Sequence, residues 1–184
     1  MKNWSKSALS IYKYLSTMAK SIDKTVLDLG KSSHITSLHR QHNTYNQAGN
    51  LIELVDRKRK MINLKIIIEE VLAKMEKEDR RIISLVYMDG VKSETIAKIL
   101  GVSIRTFFRK KLIAIQNFTL IMAEIGYNEE FFENEYFSEK WLMAVYDETS
   151  IKSGVAEDHL DKYLIKRVFK EVSRINMAFN TYLI

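Results

Sequence analysis

Residues 89–118 read DGVKSETIAKILGVSIRTFFRKKLIAIQNF. Two stretches of helical period meet there at a short turn, Gly101-Val102-Ser103. The first carries Ile96, Ala97, Ile99 and Leu100. The second carries Ile104, Phe107, Phe108, Leu112, Ile115 and Phe118 at spacings of three and four, which places them on one helix face. Glycine at 101 suits a left-handed residue closing a helix, because it has no Cβ to clash. Ser103 suits the next helix start, where its hydroxyl accepts a backbone N–H. Short helix, glycine-bearing turn, second helix is the layout of a helix-turn-helix.

The second helix has a polar side as well. Arg105, Thr106, Arg109 and Lys110 lie off the apolar stripe, near the N-terminal end. In a helix-turn-helix that end enters the major groove of a duplex. Arginine pairs two-pronged with guanine, and lysine and threonine serve phosphates or bases. The DNA contacts expected on this face are therefore Arg105, Thr106, Arg109 and Lys110. Lys92, Lys111 and the run Arg57-Lys58-Arg59-Lys60 are candidate phosphate contacts.

Arg80-Arg81-Ile82-Ile83-Ser84-Leu85-Val86-Tyr87-Met88-Asp89-Gly90, followed by Ile96 through Thr106, resembles region 4 of the bacterial sigma-70 family. A weaker resemblance is to phage-type transcriptional regulators of the ArpU kind, which also set a charged helical arm before such a motif. The resemblance implies promoter DNA and RNA polymerase as partners, and it adds Ser103, with Ser93 of the preceding helix, to the expected DNA-binding set. Two positions depart from the family pattern. Lys92 stands where a capping serine is common, with Ser93 able to cap one residue later, and Lys111 stands where a buried aliphatic is usual. Phe108 and Leu112 are expected to rotate the stripe in compensation.

Composition sets the bounds. The 184 residues include no proline, no cysteine and six glycines, so helix breakers are scarce and the expected class is all-α. Without cysteine there is no disulfide and no thiolate metal site. No secretory leader is evident near Met1, and the uncharged run 112–123 is too short to span a membrane. These features point to the cytoplasm. The net charge of +6 is uneven: residues 1–75 carry +7, 76–119 carry +4 and 120–184 carry −5. A basic front and acidic rear suit a polyanion at one end and a protein partner at the other.

Four regions follow in order. Residues 1–49 comprise an amphipathic helix, stopping at Gly30, and a polar linker, KSSHITSLHRQHNTYNQAG, over 31–49. His34, His39 and His42 cluster in the linker without the further ligands a metal site needs. Residues 50–75 form a long helix whose apolar face includes Leu64, Ile67, Ile68, Val71, Leu72 and Met75, widened by Ile62 and Ile66. Its length suits pairing with residues 4–29 or with a second copy of the chain. Residues 76–119 are the helix-turn-helix domain, opening with a helix over 76–88. Residues 120–184 are an acidic, aromatic-rich helical region, with Gly126 closing the recognition helix, Asn128 capping the next, a helix over 138–146, a turn over 149–154 and a last helix over 157–175.

The sequence thus predicts a sequence-specific DNA-binding transcription regulator, sigma-like in its DNA module, with residues 104–118 as recognition helix. A complete sigma factor also needs a promoter-melting region, and residues 1–75 hold few aromatics for one: Trp4, Tyr12, Tyr14 and Tyr45. The alternative is an adaptor that binds RNA polymerase or a sigma factor and keeps the motif as a scaffold. No nucleophile–base pair, phosphate-cradling loop or carboxylate–metal pattern points to an enzyme or a cofactor. Double-stranded DNA, RNA polymerase and a second copy are the expected partners, with no role for a membrane.

Overall fold

A computed structural model describes residues 2–36, 44–151, 160 and 162–174. Among them are eight α-helices, one π-helical segment and no strand. Helix α1 spans Lys2–Thr36. It passes straight through Gly30, where the sequence predicted a stop. A glycine weakens a helix interior by about 1 kcal/mol but does not end it, and Gly30 takes no positive φ. Helix α2, Thr44–Lys74, begins ahead of Gly49. The expected linker is therefore helical at both ends, and His39, Arg40 and His42 lie outside the described residues.

The two long helices run antiparallel. Tyr12 donates to Glu69 at 2.8 Å, Lys65 to Ser16 at 3.1 Å and Lys58 to Asp23 at 2.6 Å, so rising numbers on α1 meet falling numbers on α2. Between them α1 buries Ala8, Ile11, Leu15, Met18 and Ile22, and α2 buries Leu54, Met61, Leu64, Ile68 and Val71. Each such side chain contributes about 1.5–3 kcal/mol relative to exposure. Ile62 and Ile66 do not join this face. Both are exposed, because at 3.6 residues per turn they sit across the helix from Leu64 and Ile68.

The chain then folds α3 (Lys77–Ile83), a π-helical segment (Ser84–Met88), α4 (Ser93–Ile99) and α5 (Ile104–Glu124). In the π-helical segment the Asp89 N–H bonds to the Ser84 carbonyl at 3.0 Å, one residue further back than in an α-helix. Helices α6 (Glu129–Tyr136), α7 (Lys140–Ile151) and α8 (Lys162–Val172) complete the described fold. Asn128 caps α6 as expected, accepting from Phe131 N at 2.9 Å. Helix α7 continues through Thr149, where the sequence predicted a turn.

Helix α1 packs against α2, α5, α7, α8 and the π-helical segment. Ser5 Oγ reaches Met122 Sδ of α5 at 3.7 Å, and Ser7 and Thr149 of α7 share a buried hydroxyl pair at 2.7 Å. Tyr14 meets Phe169 of α8 edge-on at 6.5 Å. Trp4 lies between Phe132 of α6 and Tyr146 of α7, at 5.5 and 4.4 Å between ring centres. One buried cluster thus joins residues from α1 through α8.

Candidate nucleic-acid interface

The turn is built as its residues require. Gly101 takes φ +64°, where a Cβ would be strained. Its N–H bonds to the Lys98 carbonyl at 3.1 Å and that of Val102 to the Ala97 carbonyl at 3.0 Å. This pair of bonds closes α4 and satisfies carbonyls that would otherwise lack partners. Ser103 then caps α5, accepting from Thr106 N at 3.2 Å, and its hydroxyl also bonds that of Thr106 at 2.9 Å. Both hydroxyls are thus engaged in starting the helix. At α4 the expected cap is corrected: Lys92 holds the N-cap position with no side-chain bond, and Ser93 is the first helical residue.

Two polar tethers fix α5 to α3. Asn117 donates to Asp79 at 2.6 Å, and Lys110 pairs with Glu78. The sequence did not reveal these tethers, since nothing local shows which helix faces which. The core face of α5 consists of Phe107, Lys111, Ala114, Ile115, Phe118 and Met122. Opposite it, Arg105 and Arg109 are exposed one turn apart. Neither makes an ion pair among the described residues.

Lys111 corrects the sequence reading. It is 8 % exposed, so it is not available as a phosphate contact, while Leu112 is exposed where a core residue was expected. The stripe centres on positions 107, 111, 114 and 118, and Lys111 falls inside it. Its ammonium lies 5.6 Å from the Phe108 ring centre. Burial pushes it down to about 8, and the nearby charge of Lys6 acts in the same direction. Below pH 8 the lysine is protonated both folded and unfolded, and the folded state bears the burial cost. Above pH 8 the unfolded chain binds more protons, so stability rises until the lysine's ordinary range near 10.5 is reached. Lys111→Met is expected to stabilise the fold by about 1–3 kcal/mol at pH 7. It should also abolish the rise in urea midpoint expected of the parent between pH 8 and 10. An unchanged midpoint at pH 7 would show that Lys111 bears no such cost.

The run 57–60 is engaged internally. Arg57 donates to the Val172 and Arg174 carbonyls at 2.7 and 2.9 Å and pairs with Glu53 at 2.6 Å. Lys58 pairs with Asp23 and Arg59 with Asp56, at 2.6 and 2.7 Å. Lys60 pairs with Glu139 at 2.9 Å. Burial alone would lower its ammonium, but the hydrogen bond and charge of Glu139, with the charge of Asp56, outweigh burial and raise it. Arg57 and Lys60 are largely covered, which corrects their reading as phosphate contacts. Lys58 and Arg59 keep exposed surface but already face carboxylates.

These helices, their glycine turn and the exposed arginines define a helix-turn-helix. Residues 65–110 match the family described as Sigma-70, region 4. The match runs from within α2 to the first turns of α5, about a quarter of the chain. At the level of that family the module serves DNA binding and transcription regulation. No curated protein and no solved structure matches the chain. Among the described residues no helix is long and apolar enough to cross a membrane.

Proposed function

We propose that the chain is a sequence-specific DNA-binding transcription regulator whose helix α5 lies in the major groove. The observation that carries this reading is the pair Arg105 and Arg109, exposed and without carboxylate partners among the described residues, on the outer face of a region 4-like second helix. Arginines so placed reach guanine edges, while Lys92 and Lys98, both exposed on or beside α4, hold phosphates. Selection from random duplexes, followed by gel-shift titration at several salt concentrations, tests it. The expected result is an enriched motif bound at least about a thousandfold more tightly than scrambled DNA. No enrichment, or equal affinity for both duplexes, would remove sequence-specific binding from the reading.

A second reading is supported by α5 from its middle onward. Leu112, Ile113 and Leu120 are exposed, Leu120 by 60 %. Apolar side chains in that position suit a protein surface such as RNA polymerase. Co-purification with core polymerase, in the absence of salt-steep DNA binding, would favour the adaptor role instead.

A further inference from the structure

Helix α1 carries a second basic surface that the DNA-binding motif does not include. Lys6, Lys13, Lys20, Lys24 and Lys31 recur at intervals of seven, seven, four and seven residues. At about 100° per residue these positions fall within an arc of about 40° on one side of the helix. Lys13, Lys20, Lys24 and Lys31 are all exposed, and none forms an ion pair with a carboxylate among the described residues. Lys13 meets only the Tyr14 ring, at 5.0 Å. Of the neighbouring acids, Asp23 is paired with Lys58, and Asp28, four residues from Lys24 and three from Lys31, forms no ion pair with either among the described residues.

The packing of α1 leaves this side open. Its contacts with α2 run through Tyr12, Ser16 and Asp23, and those with α7 and α8 through Ser7 and Tyr14. Helix α5 crosses only the N-terminal end, where Ser5 meets Met122 and Lys6 is near enough to Lys111 to depress its ammonium. The row therefore starts against the helix-turn-helix and runs away from it. From Lys13 to Lys31 it extends about 27 Å, the rise of about eight base pairs.

We infer that this lysine row is a phosphate rail that holds duplex DNA flanking the site read by α5. The inference rests on the DNA-binding reading above. Lys13, Lys20, Lys24 and Lys31, without ion pairs among the described residues and set along one rigid helix, match the sequence-independent, salt-sensitive contacts that phosphates make. An anionic lipid surface fits less well. A membrane-surface helix needs an apolar face beside its basic one, and the described apolar face of α1 is buried or half-buried against the core; among the residues whose burial is described Leu27 is the exception, exposed at the edge of the row.

The test is a quadruple variant, Lys13→Gln, Lys20→Gln, Lys24→Gln and Lys31→Gln. A control replaces the exposed Lys140, Lys162, Lys166 and Lys170 in the same way, giving an equal charge change elsewhere. Affinity is measured against a short duplex of about 15 base pairs, covering the selected site alone, and one of about 40 with flanks. On the long duplex the rail variant is expected to bind at least about tenfold more weakly. Its plot of log K against log salt should flatten by about 2–4, since each phosphate contact contributes about 0.9. On the short duplex it should match the parent. Parent-like affinity and slope on the long duplex, or an equal loss in the control, would overturn the rail. So would loss of binding to phosphatidylserine vesicles with DNA affinity intact, which would assign the row to a lipid surface. A parent protein that binds neither duplex would instead sink the DNA-binding reading, and the rail with it.

Discussion

Replacing Arg105 and Arg109 together by alanine is expected to weaken binding to the preferred duplex by about 100-fold or more. One two-pronged arginine–guanine pair discriminates by about 1–3 kcal/mol. The two arginines sit one turn apart on the same helix face, so their losses need not add. Both are exposed and lack ion pairs among the described residues, so neither removal leaves a buried charge unpaired. The fold should therefore persist, with unchanged helicity and urea midpoint. Specific affinity should fall toward the non-specific level, which the remaining lysines sustain, and base preference should relax at the positions each arginine reads. The measurement is a gel-shift titration of both single variants and the double against the selected site and against single-base changes in it. Equal affinities for parent and double variant would mean that α5 does not read bases through these side chains.

The helix-turn-helix could be read directly because its determinants are local. Gly101 must close one helix and Ser103 open the next, and both act through atoms within a few residues of themselves. The period of three and four located the core face of α5 through Phe107, Ile115 and Phe118. Residue type then misled at one position. A lysine is expected outside, yet Lys111 occupies the centre of the stripe, where helices distant in sequence pack on α5 and cover it. The run 57–60 misled for a related reason. Four adjacent cations on a helix point in several directions, and three of them, Arg57, Lys58 and Lys60, have partners far away in sequence: the carbonyls of 172 and 174, Asp23 and Glu139. The spacing of the α1 lysines was open to inspection, but which side of α1 stays uncovered depends on where α2, α5, α7 and α8 dock. No local pattern states which apolar stripes pair.

Trp4→Ala is expected to destabilise the whole fold, not one region of it. Trp4 is 2 % exposed, and its ring lies between Phe132 and Tyr146. Truncating a buried tryptophan to alanine costs about 3–5 kcal/mol, part lost transfer free energy and part the cavity left behind. For a chain of this size that corresponds to a fall in Tm of about 10 °C. The residue comes from the first turn of α1, whereas its partners come from the acidic region after the motif. The neighbouring hydroxyl pair of Ser7 and Thr149 bridges the same two parts of the chain. If this joint unites them, urea unfolding followed by far-UV circular dichroism and by tryptophan fluorescence should give one coincident transition at a lower midpoint. The variant keeps Trp141 as its fluorescent reporter, and that ring is buried in α7 on the far side of the joint. Two separated transitions, with α7 melting ahead of the remaining helices, would show that the acidic region folds on its own and only leans on α1. A midpoint within error of the parent would show that the aromatic sandwich around Trp4 contributes nothing to stability.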